Sequence, residues 1–213
     1  MMVDHIFIFS DKAGEEADEL KALGFKEGSS RIHPDQGTRN RKFYFQNFFL
    51  EILWVHNEEE LKNGKASKID LLERSKFATN NYSRFGLGLV NDPSNDTLFL
   101  DGKKYFPAYF PEALSIEYIN EKELPWLFRL PFKGKTFDAG NELINHPNNI
   151  STLSRADFSI REKEINHGLA HHLKKLESIE FKPADDPSLF LTFDEHQQEK
   201  EFHINSLNLV IRY

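Results

Sequence analysis

Residues 48–55 read Phe48-Phe49-Leu50-Glu51-Ile52-Leu53-Trp54-Val55, an apolar run of strand length interrupted by one carboxylate. Length and aromatic content mark a buried strand. An ionised carboxylate inside such a run must find a partner or coordinate a metal. Strand alternation places Phe49, Glu51, Leu53 and Val55 on one face. Upstream, Val3-Asp4-His5-Ile6-Phe7-Ile8-Phe9 reads as a second strand, with His5 on the face shared by Phe7 and Phe9. A histidine and a glutamate, each alone on an apolar strand face, together suggest one site.

Between these two strands, Ala17, Leu20 and Leu23 recur at helical spacing over residues 13–23, and Gly24 closes the helix. Strands follow at 25–31 and 41–46, separated by the polar loop His33-Pro34-Asp35-Gln36-Gly37-Thr38-Arg39-Asn40. The order is βαβββ. The same order is predicted at the other end: a strand over 153–160, a helix capped by Asn166 and carrying Leu169, Leu173 and Leu176, then strands at 179–181, 189–193 and 206–213. Superposing the two patterns sets Leu153-Ser154-Arg155 on Val3-Asp4-His5 and Leu207-Asn208-Leu209 on Leu50-Glu51-Ile52. Arg155 and Asn208 then stand where the first copy has His5 and Glu51.

The chain accordingly divides into an N-terminal module (1–56), a connecting segment with central strands (57–150) and a C-terminal module (151–213), forming one unit. Residues 57–75 are charged and predict a solvated connecting helix or loop. Strands are predicted at 84–90, 114–119 and 126–130, and residues 133–150 form a long loop carrying His146-Pro147-Asn148-Asn149.

Composition narrows the partners. The formal net charge of -7, with no basic stripe interleaved with aromatics, argues against a nucleic-acid binder. No cysteine is present, which removes disulfides, thiolate metal sites and cysteine nucleophiles. The start lacks a leader pattern and no stretch approaches about 20 apolar residues, so the expectation is a cytoplasmic protein without a membrane partner. Twenty phenylalanines imply an aromatic core or an aromatic-lined cavity for a small-molecule ligand.

Val3-Asp4-His5, Leu23-Gly24-Phe25, His33-Pro34-x-x-Gly37-Thr38-x-Asn40 and Leu50-Glu51-Ile52-Leu53 together resemble the glyoxalase-like branch of the vicinal oxygen chelate (glyoxalase/bleomycin resistance/dioxygenase) superfamily. Pro131-Phe132 and His146-Pro147-Asn148 look like the later part of the same branch. The resemblance implies an α+β fold of paired βαβββ modules whose curved mixed sheets enclose a cavity. It also implies a divalent metal (Zn, Fe, Mn or Ni) held by His5 and Glu51, lyase, isomerase or dioxygenase chemistry on a small oxygen-bearing metabolite, and a possible homodimer. Metal-free binding or resistance proteins share the fold.

Imidazole and carboxylate on a rigid strand pair suit such a metal, which would act as a Lewis acid. In that reading Glu51 is also the catalytic carboxylate. A third ligand would come from His33, Glu117 or His146. His33, Arg39, Asn40 and Arg155 are the candidate substrate contacts, Arg39 and Arg155 for an anionic group. The bland alternative pairs Glu51 with Arg155, Arg41 or Arg84 and makes His5 a satisfied core histidine. His167, His171 and His172 predict a solvated helix face, because Gly168 stands where a zinc helix would have glutamate.

Overall fold

The computed structural model describes residues 2–134, 140, 142–165, 168–173 and 178–213. The two anomalous strands are β1 (Val3–Phe9) and, four elements later, β4 (Phe49–Val55). Between them lie α1 (Ala17–Ala22), β2 (Ser30–His33) and β3 (Thr38–Tyr44), giving the predicted βαβββ order. The helix is shorter than predicted because Ala13 and Gly14 both take positive φ, which no α-helix accommodates. Then come α2 (Glu58–Asn63), α3 (Leu71–Ser75), β5 (Phe85–Leu89), β6 (Lys103–Tyr105), β7 (Ile116–Ile119) and β8 (Trp126–Arg129). The C-terminal part contains β9 (Leu153–Ile160), α4 (Gly168–Leu173), β10 (Ile179–Pro183), β11 (Ser188–Phe193), β12 (Glu201–Ile204) and β13 (Leu209–Arg212).

The order of the larger sheet is β2-β3-β4-β1-β5-β8-β7-β6. β1 runs parallel to β4, β5 runs parallel to β8, and the two halves join through antiparallel β1 and β5. The partner of the N-terminal module is therefore the stretch 85–129, whose helix is reduced to a 3-10 segment, Pro93–Phe99. The fold is α+β, with this sheet curled into a half-barrel as a glyoxalase-like fold requires.

The C-terminal sheet has the order β10-β9-β11-β13-β12. Here the first strand pairs in parallel with the second, whereas in the N-terminal module it pairs with the last. It also holds four strands after its helix, not the three predicted. The superposition of Arg155 on His5 and of Asn208 on Glu51 consequently has no structural counterpart. Asn208 is a left-handed turn residue (φ 50°) whose amide donates to the Pro187 carbonyl at 3.0 Å. Asn166, His167 and Leu176 lie outside the described residues.

Strand alternation sorts the cores. Ile6, Ile8, Ile52 and Leu87 point to the convex side, where Leu20 of α1 and Ala156, Phe158, Leu189 and Leu191 of the second sheet complete one cluster. Phe7, Phe9, Leu53, Trp126 and Phe128 point to the concave side with Leu61, Ala66, Ile69 and Leu71. Residues 57–75 thus bury one face on the concave side, and the solvated segment predicted for them is corrected. Their charges hid a short stripe of buried apolar residues. Arg74 fixes α3 to the β7–β8 connection. It is fully buried and donates to the carbonyls of Ser83, Leu124 and Glu121 and to Asn120 Oδ1 at 2.6–3.0 Å. Burial pushes its guanidinium down to about 9. Among the described residues no helix is long and apolar enough to cross a membrane.

Candidate functional site

The concave face holds a cavity of about 160 Å³ lined by His5, Phe7, Arg31, His33, Asn40, Lys42, Phe49, Glu51, Tyr109, Trp126 and Phe128, among others. Alternation delivers the polar groups: Asn40 and Lys42 from β3, Glu51 from β4 and His5 from β1 all point inward. Glu51 is 6 % exposed and His5 7 %. The structure thus brings together the two residues singled out by their strand context, with His5 Nε2 at 3.9 Å from Glu51 Oε2.

Each of the two is held by a neighbour. Asn40 Nδ2 donates to Glu51 Oε1 at 2.6 Å, while Asn40 Oδ1 accepts the Arg31 backbone N–H at 2.7 Å, so the amide cannot turn. His5 Nδ1 donates to Asp4 Oδ2 at 2.5 Å. Successive strand residues normally face opposite ways, but the β1–β5 register shifts between Val3 and His5. Such a bulge re-aims a side chain. With the proton on Nδ1, Nε2 presents a lone pair to the cavity. The ring stacks on Phe49 (4.3 Å between centroids, 8° between planes) and meets Phe128 edge-on at 4.9 Å.

Space for that ring comes from β5. A Cβ on Gly88 would lie 2.9 Å from Phe128 Cζ and 3.0 Å from His5 Nδ1, and a Cβ on Gly86 would overlap the Phe7 ring. Only glycine fits at both.

A second polar group sits on the loop after β2. The Gln36 amide donates to Thr38 Oγ1 at 2.8 Å, leaving the hydroxyl hydrogen for His33 Nδ1 at 2.9 Å. Burial pushes the His33 imidazole below its ordinary range, against the attraction of Glu51. Tyr109 reaches over from the other half of the sheet: its hydroxyl donates to Gln36 Oε1 at 2.9 Å, and the Arg31 guanidinium lies 4.8 Å from its ring centre. Burial raises that phenol.

Other predicted site residues are placed elsewhere. Arg39 pairs with Trp54 across β3 and β4, and its guanidinium lies 5.8 Å from the indole, on the face away from the cavity. Arg155 belongs to the second sheet and is paired with Asp157 at 2.5 Å and with Glu180. Arg41 is paired with Glu27 and Asp18, and Arg84 donates to the Phe9 carbonyl, so none of the three arginines neutralises Glu51. Glu117 is paired with Arg129 at 2.7 Å. His146 is a core histidine, accepting Lys26 N–H on Nδ1 and donating from Nε2 to the Tyr44 carbonyl, both at 2.9 Å.

The donor set falls short of a resident metal centre. Among the described residues no group of three His, Cys, Asp or Glu converges. The other half of the sheet sets Gly88 directly beside His5 and lines the cavity with Trp126 and Phe128, and no side chain of the three offers a metal-ligating atom. Counting the imidazoles as neutral, Arg31 and Lys42 already balance Asp4 and Glu51. A divalent ion would add two uncompensated charges to a mostly aromatic chamber.

Sequence reasoning passed over Asp4, Arg31, Lys42, Tyr109 and Trp126. The adjacency of Asp4 to His5 was visible, but its bulge was not. Tyr109 and Trp126 belong to a half whose equivalence to the first is written in its strand order.

A family model for the glyoxalase-like domain matches residues 3–90. No curated protein matches the chain. Among solved structures, a hypothetical protein from Staphylococcus aureus is 13 % identical, covers 99 % of this chain and 98 % of its own, and superposes with a TM-score of 0.58. That likeness shows the shared fold over the whole length. Residues 3–90, the stretch that carries Asp4, His5, Asn40 and Glu51, are thus similar to the glyoxalase-like domain family.

Proposed function

We propose that the protein binds a small, ring-bearing hydroxyl compound in the concave cavity without a resident metal. The observation that carries this is the pair of inward-facing acceptors. Glu51 Oε2 and His5 Nε2 lie 3.9 Å apart, each fixed from behind by Asn40 or Asp4, and surrounded by rings. Two acceptors that close call for a donor between them. With the fixed charges balanced, a neutral ligand O–H supplies it at less desolvation cost than a cation does.

Size and wall chemistry support the same class. A cavity of about 150 Å³ lined by apolar side chains takes up benzene, and this one, at about 160 Å³, matches one six-membered ring. Phe49 and Phe128 offer faces and edges to it. The Asp4–His5 couple can accept a proton from such a hydroxyl, as carboxylate-backed imidazoles do.

Trp126 reports on the cavity, whereas Trp54, the other tryptophan, borders a different hollow near Ser10 and Glu58. Phenol should quench the fluorescence saturably, in buffer with EDTA as well as without. Glu51→Gln should weaken phenol about tenfold or more, in line with the loss of a charge-assisted hydrogen bond of about 1.5–3 kcal/mol, and leave toluene binding unchanged. Binding that requires added Zn²⁺ or Mn²⁺ and vanishes with EDTA would restore the metal reading. Equal affinity of parent and Glu51→Gln for phenol would overturn the acceptor pair.

A further inference from the structure

Arg84 is a buried cation with no carboxylate in contact. It is 6 % exposed. Its Nε donates to the Phe9 carbonyl at 2.9 Å, Nη2 donates to the same oxygen, and Nη1 donates to the Ser206 carbonyl at 3.0 Å. The Phe77 ring covers one face of the guanidinium at 3.9 Å. A guanidinium has five N–H groups, and these contacts use three. Among the described residues no carboxylate lies within 4 Å. Asp11 and Glu16 act on it from farther away, and burial pushes it down to about 10. A desolvated cation paired only with carbonyl dipoles is costly.

The same side chain lines a cavity of about 80 Å³, separate from the site around Glu51, together with Tyr82, Glu123, Arg161 and Asn208. Arg161 is 34 % exposed and donates to Glu123 Oε2 at 2.9 Å. Glu123 is shared with Lys163 at 2.5 Å. Within the lining two cations, Arg84 and Arg161, thus stand against one carboxylate, Glu123, while Lys163 outside it is divided between Glu123 and Glu164, in a chain whose net charge is -7. A local excess of positive charge around a concavity, with two guanidinium N–H groups still to be matched, is an arrangement that oxyanions complete in bidentate fashion.

We propose that this cavity is a binding site for a small oxyanion of the phosphate or carboxylate class, held by Arg84 and Arg161. Its volume suits an ion of inorganic-phosphate size and excludes a nucleotide. Arg84 enters from the start of β5, while Arg161 follows β9 and Asn208 precedes β13, so the bound anion fastens the half-barrel to the C-terminal sheet. Occupancy should therefore read out as resistance to unfolding.

The test is thermal melting of the full chain at constant pH, titrated with sodium phosphate, sodium acetate or sodium chloride at matched ionic strength, with calorimetric titration of phosphate and acetate alongside. A saturable rise in Tm with phosphate or acetate, absent with chloride, is expected. Whichever of the two acts at lower concentration identifies the anion class. General salt stabilisation by phosphate is separated by Arg161→Gln, a partly exposed substitution that should leave the fold intact and weaken the anion at least tenfold. Arg84→Lys, which keeps the charge but loses the fork, should weaken it further. A rise that matches chloride, or that persists undiminished in Arg161→Gln, overturns the site.

Discussion

Gly88→Ala tests how the cavity is built, because two opposing effects predict opposite signs. An alanine in a strand interior is ordinarily the better residue by about 0.5–1 kcal/mol. Here the added methyl would lie 2.9 Å from Phe128 Cζ, 3.0 Å from His5 Nδ1 and 3.1 Å from the His5 carbonyl oxygen. Comfortable contact is about 3.5 Å or more, so each neighbour must retreat by roughly 0.5 Å. The His5 ring has nowhere to go, since Phe49 is stacked on it at 4.3 Å and Asp4 holds Nδ1 at 2.5 Å. Overpacking of this kind costs about 1–3 kcal/mol. The net expectation is a loss of about 1 kcal/mol, seen as a fall in Tm of about 2–4 °C for a chain of this size. Phenol affinity should fall with it, because the shift moves Nε2. Gly86→Ala, where the methyl overlaps the Phe7 ring, should lose more. Gly168→Ala is the control: among the described residues nothing lies within 4 Å of the new methyl, so stability should hold or rise by up to about 1 kcal/mol. Urea melts of the three variants decide the matter. If Gly88→Ala and Gly86→Ala are as stable as the parent or more so, the rings are not packed onto β5 as described.

Arg74→Met should cost more than about 3 kcal/mol in urea unfolding, because it strands three buried carbonyls and the Asn120 amide oxygen. A loss below 1 kcal/mol would mean that the clamp is dispensable. Arg155→Ala, at a side chain 42 % exposed, should cost under about 1 kcal/mol and leave phenol affinity untouched; any change in affinity would return it to the site. Burial holds His33 and His146 below the ordinary histidine value of 6.5. Their neutral forms therefore contribute stability that is fully present above about pH 6.5 and lost as pH falls below it. Each histidine contributes a slope of at most about 1.4 kcal/mol per pH unit. His33→Gln should flatten the acid limb of a stability–pH curve by one histidine's share, and an unchanged limb would contradict its burial.

Local patterns disclosed the N-terminal module because each of its elements repeats a short-range signal. β1 and β4 are apolar runs, α1 buries Ala17 and Leu20 three residues apart, and Gly24 stops it at φ 90°. The second half of the half-barrel lacks those signals. Its helix is a 3-10 turn, β6 is three residues long, and β5 reads Phe85-Gly86-Leu87-Gly88-Leu89, in which alternate glycines resemble a weak strand. What fixes its place is pairing, β1 with β5 and β5 with β8, and pairing is a long-range property that no window contains. The C-terminal strands, with stronger periodicity, drew the comparison instead and resemble β1–β4 in order along the chain while differing in order across the sheet.

The site was legible for the same reason and to the same depth. His5 and Glu51 stand out because a polar group on an apolar strand face is expensive, and their meeting follows from β1 lying beside β4. What occupies the opposite wall could not follow from strand patterns, since it depends on which strands supply it. A metal reading needs ligands from both halves. The half-barrel provides His5 and Glu51 from one and Gly88, Trp126 and Phe128 from the other, so its near-symmetry of backbone carries no symmetry of chemistry. The glycines that keep β5 bare are what let His5 and Phe7 lean across the junction, and the rings beyond them complete an apolar chamber. One wall thus carries the acceptors, while the other packs its rings and adds the unpartnered Trp126 Nε1–H as a donor. Such a chamber favours a ligand with a single hydroxylated edge over an ion that must be surrounded.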